Sequence, residues 1–295
     1  MTTLLHTHAP AKINLYLHVT GRREDGYHRL DSLVAFTNIG DEMRLESATD
    51  FAFALEGPMA ARLADEPVEG NLAVRAARAL AAACGRTLDV KLTLVKNLPV
   101  ASGIGGGSTD AAAALRLLAQ YWEMDAGDAR LFAIAATLGQ DVPCCIRAET
   151  CYFRDIGDVT DAGPDLPHTD MVLVNPGEGL PTPAVFKARR GDFTPAARLE
   201  RVPADAAELA AMLRSRGNGL TEAACELLPE IGAVLKALAQ SPDCLLSRMS
   251  GSGATCFGLY PDRAAARGAA ARIMADHPDW WVVPAFVPER GGRQA

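Results

Sequence analysis

Lysine is scarce in this 295-residue chain, because only five of the 29 basic residues are lysines: Lys12, Lys91, Lys96, Lys187 and Lys236. Positive charge as a whole is also in deficit, since 36 acidic residues give a net charge of −7. Proteins that bind nucleic acid usually present a basic face, so this balance disfavours a nucleic-acid partner. Where arginine carries most of the positive charge, each lysine is a candidate for a particular role.

Metal-binding and membrane signatures are missing as well. The seven cysteines form no C-x-x-C pair, and only Cys144 and Cys145 are adjacent. Such spacing suits neither a zinc site nor a secreted disulfide framework, and it predicts reduced thiols in a cytoplasmic protein. No apolar run approaches the roughly 18 residues of a membrane-spanning helix. The first ten residues lack the basic and apolar regions of a signal peptide, so we predict a cytoplasmic location and no membrane partner.

The pattern of apolar residues predicts an α+β protein. Period-two alternation predicts strands over 12–20, 30–39, 42–55 and 88–95, with further strands over 151–176. Helical spacing predicts helices over 71–85, 109–122 and 128–138, and Asn71 is expected to cap the first of them, with Gly85 just past its end. Later, helices over 204–215, 221–239 and 262–275 are expected to alternate with strands over 245–249, 255–260 and 281–287. The alternation is too irregular for a doubly wound fold, so we predict two α+β domains, residues 1–163 and 164–295.

The strongest local signal is the segment PVASGIGGGSTDAAAAL, residues 99–115. Four glycines among five residues allow backbone N–H groups to converge on a ligand, and the following helix adds about half a positive charge. A simple turn needs only one or two glycines, so the segment favours a phosphate site. A Walker loop is excluded because no lysine follows the glycines. The dinucleotide fingerprint fails because Ser108 stands where it needs glycine.

Two side chains are candidates for phosphoryl-transfer chemistry. Alternation places Lys12 and Asn14 on one face of the first predicted strand. A lysine in a strand is usually solvated or guards a sheet edge, and an aspartate such as Asp141 after a helix-ending glycine usually belongs to a turn. Beside a phosphate loop the pair has another interpretation. Phosphoryl transfer needs positive charge on the moving group and an acceptor for the hydroxyl proton, which Lys12 and Asp141 would supply.

Three segments together resemble the motifs of the GHMP kinases. They are PAKINLYLHVTGRREDGYHRLDSL (10–33), LPVASGIGGGSTDAAAAL (98–115) and MSGSGATCFGLY (249–260). Additional similarity lies in EGNLAVRAA (69–77), LGQDVPCCI (138–146) and PTPAVFK (181–187). The resemblance implies a two-domain fold, with an N-terminal domain like ribosomal protein S5 domain 2 and a ferredoxin-like C-terminal domain.

The resemblance also implies an ATP-dependent kinase in which Lys12 and Asp141 are the catalytic pair. The residues implied in ATP binding are Asn71, Lys96, Pro99, Val100, Ala101, Ser102, Gly103, Ile104, Gly105, Gly106, Gly107, Ser108 and Thr109. Mg²⁺ is expected with ATP, although no carboxylate cluster identifies its ligands. Ala101 replaces a glycine of the family pattern, which adds a methyl group at a position where the backbone is expected either to approach a phosphate or to need a positive φ.

The segments KINLYLHVTGRREDGYH and PTPAVFK narrow the implied substrate to a cytidine diphosphate-linked methylerythritol, phosphorylated on its 2-hydroxyl on the non-mevalonate route to isoprenoid precursors. Tyr27 and Phe186 match aromatics that stack on cytosine, and His28 matches the group that binds its edge. Asn14 and Thr182 match positions near the erythritol and its phosphates.

Two alternatives stay open at this stage. The first is another small-molecule GHMP kinase of the homoserine or mevalonate type, which would have no base for Tyr27, His28 and Phe186 to recognise. The second is a non-catalytic nucleotide- or RNA-binding protein on the S5-like fold, which the acidic composition disfavours. The sequence does not predict the oligomeric state.

Overall fold

The computed structural model describes residues 4–157 and 159–289. Within these ranges the strands are β1 (Leu4–Arg22), β2 (His28–Ser47), β3 (Ala52–Glu56), β4 (Val90–Val95), β5 (Cys151–Asp155), β6 (Val159–Ala162), β7 (Thr169–Asn175), β8 (Leu246–Met249), β9 (Cys256–Tyr260) and β10 (Trp281–Val287). The helices are α1 (Leu72–Cys84), α2 (Gly106–Tyr121), α3 (Ala129–Leu138), α4 (Val142–Arg147), α5 (Thr182–Ala188), α6 (Ala206–Arg214), α7 (Thr221–Leu227), α8 (Glu230–Gln240) and α9 (Arg263–Asp276). None of these helices is long and apolar enough to cross a bilayer.

The described residues group into two compact units. The first unit comprises Gly40–Val100, Gly105–Ala148 and the described residues up to Ala11. The second comprises Lys12–Ile39, Ala101–Ile104 and the described residues from Glu149 onward. The long strands β1 and β2 therefore contribute residues to both units. The predicted domain boundary between residues 163 and 164 stays a prediction.

In the first unit, helices α1 to α4 accompany a short stretch of sheet. Strand β4 pairs in parallel with β3 and antiparallel with the second half of β2, where Glu42 lies opposite Val95. Helix α1 packs on α2 through small alanine side chains that are fully buried. Lys96, directly after β4, contacts Asp110 in α2 at 2.8 Å, so the segment between them is anchored at both ends.

In the second unit, the first half of β2 pairs with β5, and β5 pairs with β6. A separate four-stranded antiparallel sheet has the order β10-β7-β9-β8. Its core combines apolar residues of β7 and β9 with those of α7, α8 and α9. Antiparallel strands with helices packed against them agree with the predicted α+β class.

Most of the predicted elements are confirmed, although β1 and β2 are longer than predicted, helix α4 was not predicted, and the structure differs at three further places. Helix α2 begins at Gly106 and not at Thr109. The single helix predicted over 221–239 is two helices, which separate at Pro229 because proline cannot donate a helical hydrogen bond. Helix α5 was not predicted; its first turn contains Pro183, a position that tolerates a residue with no N–H group.

Candidate active site

The glycine loop, residues 99–105, leads into helix α2. Gly105 caps the helix with a left-handed φ of 68°. The first helical hydrogen bond runs from the N–H of Thr109 to the carbonyl of Gly105, at 2.9 Å. The N–H groups of Gly106, Gly107 and Ser108 precede that bond and have no partner within the helix. The end of the loop thus has the backbone arrangement of an anion site.

The middle of the loop packs tightly within the second unit. Gly103 has a φ of +76°, and a Cβ there would lie 2.6 Å from the carbonyl oxygens of Ser250 and Gly253. Ser102 accepts a 3.0 Å hydrogen bond from the N–H of Thr255. The third glycine-containing segment, residues 250–253, therefore supports the loop, and Gly103 has no room for a side chain.

Ala101 adopts the backbone conformation that the family pattern predicts for a glycine. Its φ is 50°, in the left-handed region that a residue with a Cβ seldom adopts. The carbonyl of Ala101 accepts a 3.0 Å hydrogen bond from the N–H of Leu180, which holds this conformation. The methyl group is consequently tolerated at some cost in backbone strain.

Lys12 and Asn14 lie on the same face of β1, as the alternation predicts. Lys12 is only 3% exposed, so the usual solvated role of a strand lysine does not apply. Its Nζ lies 3.3 Å from Asn14 Oδ1 and 5.0 Å from the centre of the Phe153 ring. Asn14 Nδ2 donates to Ser32 Oγ at 2.8 Å. The ammonium group is thus held in a buried and partly polar environment.

The backbone of β1 is also connected to the glycine loop. The N–H of Lys12 donates to the carbonyl of Ile104 at 2.9 Å. The N–H of Asn14 donates to Ser250 Oγ at 3.1 Å, and that hydroxyl donates to the carbonyl of Gly103 at 3.1 Å. The strand that carries Lys12 is therefore connected to the loop by one backbone hydrogen bond and by the hydroxyl of Ser250.

Asp141 belongs to the first unit and lies at the N-cap of α4. Its carboxylate makes no capping hydrogen bond to this short helix. Its carbonyl oxygen accepts hydrogen bonds from the thiols of Cys144 and Cys145, at 3.1 and 3.0 Å. The main chain at Asp141 is thereby fixed, while its carboxylate is not used to cap the helix. The predicted pairing of Asp141 with Lys12 stays a prediction.

Two of the residues predicted to recognise cytosine lie together in the second unit. The rings of His28 and Phe186 stack with their centres 5.3 Å apart and an interplanar angle of 24°. Burial, with additional contributions from Arg22 and Arg189, lowers the pKa of His28 below its usual value. The lowered pKa favours the neutral imidazole, which has one donor and one acceptor nitrogen. Tyr27 is 57% exposed, so its ring is accessible to a flat ligand.

Thr182 starts α5, the helix that carries Phe186 one turn later. Its hydroxyl lies 2.8 Å from Ser252 Oγ. Residues four apart lie on the same side of a helix, so Thr182 and Phe186 share one face of α5. Ser252, which was not predicted as a site residue, therefore positions Thr182, which was.

The predicted nucleotide-site residues Asn71 and Lys96 have different environments in the first unit. Asn71 Oδ1 accepts the N–H of Ala73 at 2.9 Å and caps α1, as predicted from its place before the helix. Lys96 is buried, and its Nζ contacts Asp41 Oδ2 at 2.5 Å and Asp110 Oδ2 at 2.8 Å. The two carboxylates were not predicted, although Asp110 directly follows the loop motif. Within the described ranges, no group of three or more His, Cys, Asp or Glu side chains is arranged to hold a metal ion.

Comparison with protein-family models defines the class of protein. The model described as the GHMP kinases N terminal domain matches residues 71–149, and the GHMP kinases C terminal model matches residues 196–278. Together they cover the glycine loop, α4 and most of the second unit's C-terminal half. The fold and the loop are those of a GHMP kinase.

Comparison with curated proteins identifies the particular family. A 4-diphosphocytidyl-2-C-methyl-D-erythritol kinase of Paramagnetospirillum magneticum is 48% identical over 277 residues, which cover 94% of this chain and 96% of the relative. The chain belongs to this family of kinases. A crystal structure titled 4-(cytidine 5'-diphospho)-2C-methyl-D-erythritol kinase is 34% identical, with a TM-score of 0.79 over 96% of this chain and 99% of the other.

More distant structures share the fold alone. A homoserine kinase from Cytophaga hutchinsonii superposes with a TM-score of 0.73 over 97% of this chain and 95% of the other. Its sequence identity is only 16%. The arrangement of strands and helices therefore extends beyond the family.

Proposed function

We propose that this chain transfers the γ-phosphoryl group of ATP to the 2-hydroxyl of 4-diphosphocytidyl-2-C-methyl-D-erythritol, a step in the synthesis of isoprenoid precursors by the non-mevalonate route. The observation that carries the proposal is the 48% identity to a curated kinase of that name over nearly the whole of both chains. The stacked pair of His28 and Phe186 supports the cytidyl part of the substrate. An amino alcohol or a hydroxy acid would give this pair no base to contact.

The glycine loop is the proposed site of the triphosphate. Three consecutive N–H groups at the start of α2 precede the first helical hydrogen bond, and the helix dipole favours negative charge there. Gly105 and Gly103 provide the backbone conformation that such a loop needs. Mg²⁺ bound to the triphosphate would neutralise part of its charge during the transfer.

Lys12 and Asp141 are the proposed catalytic residues. Asp141 would accept the proton of the substrate hydroxyl, because a carboxylate can act as a general base in phosphoryl transfer. Lys12 would stabilise the negative charge that develops in the transition state. Its burial supports this role, since electrostatic interactions are stronger where water is excluded.

Recognition of the base is assigned to Tyr27, His28 and Phe186. Cytosine offers both donor and acceptor groups on its edge, and the neutral imidazole of His28 matches this mixed pattern. Phe186 already stacks on His28, and the exposed ring of Tyr27 can stack on a base. Asn14 and Thr182 are assigned to the erythritol and its phosphates.

We also propose that the protein acts in the cytoplasm on this small molecule, without a nucleic-acid partner. All seven cysteines are free thiols, which is usual where thiols are kept reduced. The net charge of −7 supports the absence of a nucleic-acid partner.

The test is ADP release by the purified protein with ATP, Mg²⁺ and each of three alcohols: the cytidyl substrate, homoserine and mevalonate. The proposal predicts turnover with the cytidyl substrate alone. Turnover with homoserine or mevalonate instead would refute the assignment of Tyr27, His28 and Phe186. Nucleotide binding without turnover of any alcohol would support a non-catalytic protein.

A further inference from the structure

A buried ion cluster lies beside the glycine loop in the first unit, formed by Asp41, Lys96 and Asp110. The side chains of these residues are only 0%, 3% and 4% exposed. The backbone of Lys96 is also engaged: its N–H donates to Glu56 at 2.7 Å, and its carbonyl accepts from Met59 at 3.0 Å. Lys96 therefore makes its contacts within the protein through both its side chain and its main chain.

The ion cluster holds the two ends of the glycine loop. Asp41 Oδ1 accepts the N–H groups of Asn97 at 2.6 Å and Leu98 at 2.8 Å, directly before the loop. Asp110 lies in α2, directly after the loop, and binds the same ammonium group. At Gly106 a Cβ would lie 2.9 Å from Lys96 Nζ, so the glycine leaves room for the ammonium. The chain thus enters and leaves the loop at one buried group of charges.

The charges of the cluster oppose a direct role of Lys96 in phosphate binding. Two carboxylates lie within hydrogen-bond distance of one ammonium group, and they raise the pKa of Lys96 despite its burial. Burial raises the pKa of Asp110 to about 7. Its Oδ1 is buried and has no hydrogen-bond partner among the described residues. With its charge balanced by Asp41, and by Asp110 when that is ionised, Lys96 offers no net positive charge to a triphosphate.

We infer that Asp41, Lys96 and Asp110 are positioning residues: they fix both ends of the glycine loop, and Lys96 acts on ATP binding through the two carboxylates and not by contact with the nucleotide. This inference rests on the proposed ATP site. It differs from the role expected for Lys96 from the family resemblance.

The first test replaces Asp110, which carries no predicted contact with ATP. Asp110→Leu removes the bond to Lys96, whereas Asp110→Asn keeps an oxygen for it. In both variants Asp41 Oδ2 remains 2.5 Å from Lys96 Nζ, so the buried ammonium keeps a charged partner and the variants are expected to fold. We expect Asp110→Leu to weaken binding of a non-hydrolysable ATP analogue with Mg²⁺ by about tenfold or more, as for the loss of one charge-assisted hydrogen bond. Asp110→Asn should weaken it by less than about threefold, because the amide oxygen can still accept a hydrogen bond from Lys96.

The second test separates positioning from contact by a double-mutant cycle. Lys96→Met is compared, by calorimetric titration with the analogue, in the wild type and in a background that carries both Asp41→Asn and Asp110→Leu, so that Lys96 has lost both charge partners. If Lys96 acts through the two carboxylates, its substitution adds less than about twofold in that background, whereas independent contributions would multiply. Lys91→Met is the matched control, since Lys91 lies in β4, the strand directly before Lys96 in the chain, but pairs with Glu46 at the surface. It should leave affinity unchanged.

Amide hydrogen exchange of the unliganded variants provides a readout that does not depend on nucleotide binding. Asp110→Leu should speed exchange over residues 99–109 and leave α3 unchanged, because local opening follows local contacts. Unchanged loop exchange and unchanged affinity in Asp110→Leu would overturn the inference. A tenfold effect of Lys96→Met in the background that lacks both carboxylates would show direct contact and overturn it as well. If the wild type bound no analogue, the proposed ATP site would fail, while the exchange result would still decide the role of the cluster.

Discussion

Ser250 provides the most detailed prediction, because one buried hydroxyl connects the strand of Lys12 with the glycine loop. Ser250→Ala removes the acceptor for the N–H of Asn14 and the donor to the carbonyl of Gly103. A buried N–H left without a partner costs about 1–3 kcal/mol, and the net loss of the second bond costs about 1 kcal/mol. We therefore expect the free energy of unfolding to fall by about 2–4 kcal/mol in total.

The same substitution should impair catalysis as well as stability. The loop is held to β1 partly through Ser250, so its loss should raise KM for ATP and lower kcat. Urea unfolding measures the loss of stability, and steady-state kinetics with varied ATP at a saturating concentration of the cytidyl substrate measure KM and kcat. Ser247→Ala is the matched control: its hydroxyl donates to the carbonyl of Leu235 at 2.9 Å, and its loss should cost about 1 kcal/mol without a change in KM. If the two alanine variants had equal stability and equal KM values, the proposed connection would be wrong.

Four further predictions concern single residues. Asp141→Asn should lower kcat by orders of magnitude with little change in ATP affinity, because a base acts in the transition state; normal turnover would exclude Asp141 as the base. Tyr27→Ala should weaken binding of the cytidyl substrate by about 1–3 kcal/mol, because one stacking contact is lost. An unchanged KM for that substrate would show that Tyr27 does not bind the base. Gly103→Ala should destabilise the fold by about 2–5 kcal/mol, because the new methyl group would overlap with two carbonyl oxygens in a strained backbone conformation. Gly232→Ala in α8 is the control: a Cβ there meets open space, and the change should stabilise the fold by about 0.5–1 kcal/mol. Equal urea midpoints for the two variants would contradict this difference. Asp110 has a folded pKa of about 7, above its ordinary 3.8, so its contribution to stability is complete below pH 4 and is lost as the pH rises from 4 to 7. The wild type should therefore lose stability relative to Asp110→Asn between pH 4 and pH 7, and parallel urea-unfolding profiles would refute this.

Local sequence patterns predicted the elements that position the site. Asn71 and Gly85 mark the ends of α1 because an N-cap side chain and a left-handed glycine each satisfy groups at a helix end. Period-two alternation correctly placed Lys12 and Asn14 on one face of β1. In each case the physical cause acts between residues a few positions apart.

Features that depend on distant parts of the chain were not predictable in this way. Lys96 meets Asp41 across 55 positions, and Ser250 meets Asn14 across 236. The periodic pattern of apolar residues does not indicate such pairs, because they form only when separate elements pack against each other. The start of α2 was misplaced for a local reason, since Gly106 and Gly107 have poor helix propensity and are helical only in this packed context.

Proton-coupled ³¹P NMR of the reaction product tests the central claim most directly. In 4-diphosphocytidyl-2-C-methyl-D-erythritol, carbon 2 carries the methyl group and the hydroxyl but no hydrogen. A phosphate ester formed on the 2-hydroxyl should therefore give a new signal without three-bond coupling to a proton. We predict that signal, in step with ADP release. A new phosphate signal split by an ester-carbon proton, or no new ester with this substrate, would contradict the account.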